Sequence, residues 1–131
     1  IKVKIDVMPP STLRQAIATN KLSFFRGSWI ADYPDAENYL SLFYSNNFTP
    51  NGPNYTHFKN STYDNLYQQA LNTVDDTKRT ELYKQMDAIT AQQVPVIILF
   101  YDKVARFTQK NVHNLQPNAM NGLNLKYVQK H

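Results

Sequence analysis

The unbroken apolar run VPVIILFY at positions 94–101 limits the fold more than any other feature of the chain. It closes at Asp102-Lys103 and is far shorter than the apolar length a bilayer span needs. It does not alternate with polar residues, so it does not fit a strand with one wet face. It reads as a strand buried on both faces, and such strands occur where helices cover both sides of a sheet. The expected architecture is therefore α/β.

Two other segments supply companions for that strand. IKVKIDV sets Ile1, Val3, Ile5 and Val7 against Lys2, Lys4 and Asp6, the period of a half-buried strand, and Pro9-Pro10 stops it. Ser11 then stands where it can cap a helix with Leu13, Ala16 and Ile17 on one face, ending near Asn20. LSFFRGSWIA follows as the next strand, so the opening of the chain reads as a β-α-β unit with parallel strands. Strands are expected at residues 1–7, 24–29 and 96–101, in one sheet, with VARFT and the terminal LNLKYV as further candidates.

Beyond Pro34, the spacing of Tyr39, Leu40, Phe43 and Tyr44 predicts a short helix opened by Asp35 as cap. SNNFTPNGPNYT is turn chemistry throughout, a surface loop of the length at which loops carry function or motion. STYDNLYQQALNTV is a helix with a capping box from Ser61 to Asp64 and a face of Tyr63, Leu66, Tyr67, Ala70 and Leu71. Asp75-Asp76 interrupts and recaps it. The next helix carries Leu82, Tyr83, Met86 and Ile89 on one side, and Pro95 ends it by Val94. The two helices are expected to form an antiparallel or bent pair.

Composition narrows the function more than the fold. With 42% hydrophobic residues, nine Tyr and seven Phe in 131 positions, the chain has the means to build one core, and the tyrosines suit either a binding cleft or a half-wet rim. The net charge of +4 comes from 14 Lys and Arg spread without clustering, which is not a nucleic-acid footprint. There are no cysteines, so a disulfide scaffold, a zinc knuckle and a thiol enzyme are excluded, and an oxidising compartment is compatible. The first residue is Ile1 and no segment reads as a signal peptide, as in a part of something longer. Asn47, Asn54 and Asn60 each open an N-x-[ST] sequon, a pattern that an Asn- and Thr-rich loop also produces by chance.

The stretch RGSWIADYPDAENYL holds the only tryptophan, Trp29, with Asp32 and Asp35 close behind. As an acid/base pair these aspartates would have to flank a bond, and three residues apart across Pro34 they do not converge. His57, His113 and His131 have no metal-ligand spacing, so no metal site and no cofactor are expected, and RGSW lacks the second glycine of a nucleophile elbow. The chemistry points to binding rather than catalysis. A strand-end Trp offers a flat apolar contact and an adjacent Asp a fixed negative charge, which suits an ammonium ligand; a core Trp with a turn Asp fits the same residues.

The order WIADYPDAENYL, then NYTHFKNSTYDNLYQQAL, then DDTKRTELYKQMDAITAQQVPVIILFY resembles the C-terminal part of the solute-binding proteins of oligopeptide and dipeptide ABC importers, the bacterial extracellular solute-binding protein family 5. The similarity covers residues 24–101. It rests on W-x-A-D-Y-P-D, Y-D-x-L with an alanine four residues on, and R-x-x-L-Y-x-x-x-x-x-I before a Pro-opened apolar strand, in that order.

The resemblance implies a two-lobe protein of the type II periplasmic-binding-protein kind, with residues 1–33 contributing a cleft-edge strand to one lobe and residues 34–131 returning into the other. It implies ligand binding by Trp29, Ile30, Ala31 and Asp32, the strand pairing its main chain with a peptide and Asp32 holding the α-ammonium. Asp35 is read as structural, and Arg26 as solvated or an anion contact. The implied role is peptide delivery to ABC permease subunits at the periplasmic or extracellular face of the cell membrane, with no enzymatic activity and no nucleic-acid partner. Membrane association would come only through the permease or a lipid anchor outside this segment. The family also has members for nickel chelates, haem, sugars or opines, so a non-peptide ligand stays open; a carboxylate-dependent hydrolase is the remaining alternative.

Overall fold

The computed structural model describes residues 2–118 and 120–131. Its helices are α1 (Pro10–Ala18), α2 (Glu37–Leu40), α3 (Ser61–Leu71) and α4 (Asp76–Gln93), with 3₁₀ turns at Ser41–Phe43 and Ser45–Asn47. The sheet is one antiparallel pair, β1 (Val112–His113) with β2 (Gln129–Lys130). Helices together with a small sheet are present; the mixed sheet expected to hold strands at 1–7, 24–29 and 96–101 is not, among the described residues.

The core lies between α2, the turn that follows it, α3 and α4. Leu40, Phe43, Tyr44, Tyr63, Leu66, Tyr67, Ala70 and Met86 are buried together, with Leu42, Phe58, Leu82, Tyr83 and Ile89 packed around them. Aromatic edges organise the centre: Phe58 meets Tyr63 edge-on at 5.8 Å and Phe43 at 6.1 Å, while Tyr44 stacks on Tyr67 at 4.4 Å. The short connection from Asn72 to Asp75 folds α4 back against α3, as the apolar spacing predicts. Asp75 caps α4 by accepting from the amides of Thr77 and Lys78, and Val94 ends it in the left-handed region at φ 49° ahead of Pro95.

Several local expectations need correction. Pro10, not Ser11, opens α1, because proline fits the first helical position and lacks the amide that would go unpaired there. Asn60, not Ser61, caps α3 through the Tyr63 amide at 3.0 Å. Asp64 is thereby released from the capping box, and it receives the Ser45 amide at 3.0 Å and the Ser45 hydroxyl at 2.6 Å instead. The stretch 45–56 is not a free loop. Asn54 is fully buried, donating to the carbonyls of Tyr44 and Phe58 and accepting from the Phe58 amide and the Thr56 hydroxyl. Gly52 lies so close to the Asn47 carbonyl that a Cβ would sit 2.5 Å from its oxygen. All three sequon asparagines thus carry structural bonds: Asn47 donates to the Ser41 carbonyl at 2.9 Å, Asn54 sits in the buried network and Asn60 is a cap.

The expected strands at 24–29 and 96–101 are not formed, and neither is the β-α-β unit; of 1–7, Ile1 lies outside the described residues and the rest enters no strand pairing. VARFT is likewise unpaired, and the terminal segment pairs only at Gln129–Lys130, just past LNLKYV. A strand is stabilised by hydrogen bonds to a neighbour along its edge, and among the described residues these segments have none. The run expected to be buried is open, with Leu99 70% and Tyr101 82% exposed. No described helix is long and apolar enough to cross a membrane.

Candidate functional site

Pro34 and the turn after it swing the segment carrying Trp29 and Asp32 onto the start of α2, where Asn38 waits almost out of solvent at 3% exposure. The Asn38 side-chain oxygen accepts twice: from the Trp29 indole Nε1–H at 2.7 Å and from the Asp32 main-chain amide at 3.3 Å. One buried amide therefore fixes both the aromatic and the backbone that carries the carboxylate. Trp29 is half-buried and its ring lies 6.5 Å from that of Tyr55, tilted by 57°, so the turn-rich stretch supplies a second aromatic wall. Ala31 is half-buried, whereas Ile30 and Asp32 face solvent.

Asp35 belongs to the scaffold, although Ala36 and not Asp35 stands at the N-cap of α2, with Asp35 one residue before it. Its Oδ1 accepts from the Glu37 amide at 2.9 Å and from the Tyr83 hydroxyl at 3.0 Å, and its Oδ2 lies 3.5 Å from the Arg79 guanidinium. Burial, and then this bond to Asp35, push the Tyr83 hydroxyl up to about 12. Glu37 joins the same frame by accepting from the hydroxyls of Tyr33 and Tyr67. The Tyr67 hydroxyl is pushed well above the usual tyrosine range by burial and by that carboxylate, and the Tyr33 hydroxyl is raised chiefly by the Glu37 bond. Tyr63, fully buried and donating to the Leu40 carbonyl at 2.7 Å, is raised by burial. Much of the tyrosine content is thus core and frame, with Tyr55 the one that turns to the tryptophan.

Comparison with curated proteins identifies relatives of the chain. Over 111 residues the chain is 32% identical to the probable deoxycholate-binding periplasmic protein of Escherichia coli, a match that covers 85% of this chain and 20% of that one. It is 34% identical over 99 residues to di/tripeptide-binding protein 1 of Pseudomonas aeruginosa, covering 76% and 18%. With a dipeptide-binding protein of Bacillus subtilis the identity is 26% over 130 residues, or 99% of this chain and 23% of the other. The chain belongs to the solute-binding protein family of these relatives, the family 5 type. No protein-family model matches it.

These binding-protein relatives are four to five times longer, since the chain spans about a fifth of their length. They are named as binding proteins rather than enzymes, and the location that goes with them is periplasmic or extracellular. Two open hollows on the surface lie away from the Trp29–Asp32 stretch. One of about 530 Å³ lies between the 34–40 turn and α4, lined by Asp35, Tyr39, Arg79, Tyr83 and Asp87 among others. The other lies along α3 and α4 at Gln69, Thr73 and Gln85. Arg26 is exposed and enters no ion pair among the described residues, which fits a solvated side chain. The residue that sequence reasoning missed is Asn38; its place four residues after Pro34, on the inner face of a helix start, was the only available signal.

Proposed function

We propose that this chain is part of an extracytoplasmic binding protein that captures peptides in a cleft between two α/β lobes of the type II periplasmic-binding kind and delivers them to an ABC permease, without catalysing a reaction. Residues 1–33 would give one lobe its cleft edge and residues 34–131 would return into the other. Trp29, Ile30, Ala31 and Asp32 are the ligand contacts on this reading, and Asp32 is the anchor for the ligand's α-ammonium.

The observation that carries it is the double acceptance by Asn38, which holds the Trp29 indole and the Asp32 amide while the Asp32 carboxylate stays open to solvent. Residues 24–31 enter no strand pairing among the described residues, so their main chain is available to a peptide backbone. Backbone pairing tolerates many side chains, and a charge pair at one end selects for a free N-terminus.

The test uses the full-length protein. Asp32→Ala should weaken binding of a peptide with a free α-amino group by about 2–5 kcal/mol, because the ammonium loses its counter-charge in a desolvated site. An N-acetylated peptide should bind weakly to both forms. Equal losses for the two peptides in calorimetry would remove Asp32 from this role. A second reading, a non-peptide ligand on the same scaffold, is favoured by the name of the deoxycholate-binding relative. Under that reading Trp29 and Tyr55 supply an apolar wall, and a bile-acid titration would saturate where the peptide titration does not.

A further inference from the structure

The three histidines have no ligand spacing along the chain, yet the fold brings two of them together. β1 and β2 pair with Val112 opposite Lys130 and His113 opposite Gln129. Side chains alternate between faces along a strand, so His131, two residues beyond Gln129, falls on the His113 face, while Lys130 and Val112 take the other. The His131 amide donates to the Asn111 carbonyl at 3.1 Å, which carries the pairing one step further and holds this register. The two imidazole rings have centroids 5.8 Å apart, with planes 43° from each other. His113, Gln129 and His131 are all exposed.

We propose that His113 and His131 form a two-imidazole site for a late first-row divalent metal ion, taking Cu²⁺ most tightly. An ion about 2.0 Å from a nitrogen of each ring lies about 3.2 Å from each ring centre. Rings 5.8 Å apart are therefore close enough to share one ion once the side chains turn a nitrogen of each toward it. Imidazole suits copper, nickel and zinc, and for a given donor set copper ranks first among the divalent ions of this row. Gln129 has a supporting place: its Oε1 lies 3.4 Å from His131 Nε2. With the proton on Nε2, that contact orients the ring and leaves Nδ1 as the donor to the ion. Water completes the coordination from the open face. The site is independent of the ligand reading above, since it lies on different elements.

Titration of the protein with Cu²⁺, followed by calorimetry and by electron paramagnetic resonance, tests this directly. The expected result is one ion per chain with magnetic coupling to two imidazole nitrogens. His113→Gln and His131→Gln should each weaken binding about 100-fold, the gain a second ligand on one scaffold provides. Gln129→Ala should weaken it less, and His57→Gln should leave it unchanged. A wild-type spectrum with one imidazole or none overturns the proposal, whatever the variants do. So does a loss on His57→Gln equal to that on either of the paired histidines.

Discussion

Asn38 has a neighbour on each side that sequence inspection finds easily, yet its own role depends on contacts that no local pattern announces. Trp29 and Asp32 are legible because a lone tryptophan beside a carboxylate is chemically conspicuous. An asparagine at a helix start reads as ordinary turn chemistry, and only the fold places its oxygen against an indole nine residues away. Asp35 was legible as a structural residue near the start of α2, but its bonds to Tyr83 and Arg79 span more than forty residues and were not. Asn38→Ala should cost about 1–3 kcal/mol, because the indole N–H and the Asp32 amide are left without their acceptor in a partly closed site. Asn38→Asp keeps an acceptor oxygen and should cost less. Urea unfolding midpoints of the two variants check the order, and a neutral Asn38→Ala would mean that the clasp contributes no stability.

Helices were read well and strands poorly, for a physical reason. The period of Tyr63, Leu66, Tyr67 and Ala70, and of Leu82, Met86 and Ile89, is local information, and so are the Asp75 cap and the Pro95 stop. Each helix closes its own hydrogen bonds, so a short window of sequence suffices. A strand at 96–101 is correctly apolar, but its pairing depends on a neighbour, and among the described residues none pairs with it. The α3–α4 hairpin is therefore the element whose packing holds the described core together. Met86 is its one fully buried residue on the α4 side, set among side chains of α3. Met86→Ala should cost about 2–5 kcal/mol, through lost burial and the cavity left behind. Thermal unfolding followed by the helix signal measures it; a loss below about 1 kcal/mol would show that the hairpin collapses around the gap.

At the scale of the molecule, tyrosines tie the core to the surface frame. Tyr63, Tyr67 and Tyr83 all keep their protons more tightly in the fold than an unfolded chain does. The unfolded form thus releases protons first as pH rises, and folding loses ground from the ordinary tyrosine value upward. This contribution is fully present below pH about 10 and declines as pH climbs through about 12, the value to which Tyr83 is pushed. Denaturation midpoints taken between pH about 8 and about 11.5 should hold steady and then fall. A Tyr67→Phe variant removes one of these hydroxyls and should flatten the decline, whereas an unchanged slope would assign it to other groups.

Trp29 is the chain's only tryptophan, and Asn38 fixes its indole beside Asp32. Light absorbed selectively by tryptophan is consequently absorbed at a single known place, with no averaging over other sites. Emission colour there reports water around one ring, and energy passed from the many tyrosines converges on it. The proposed contact segment thus carries its own optical gauge, readable without label or tag.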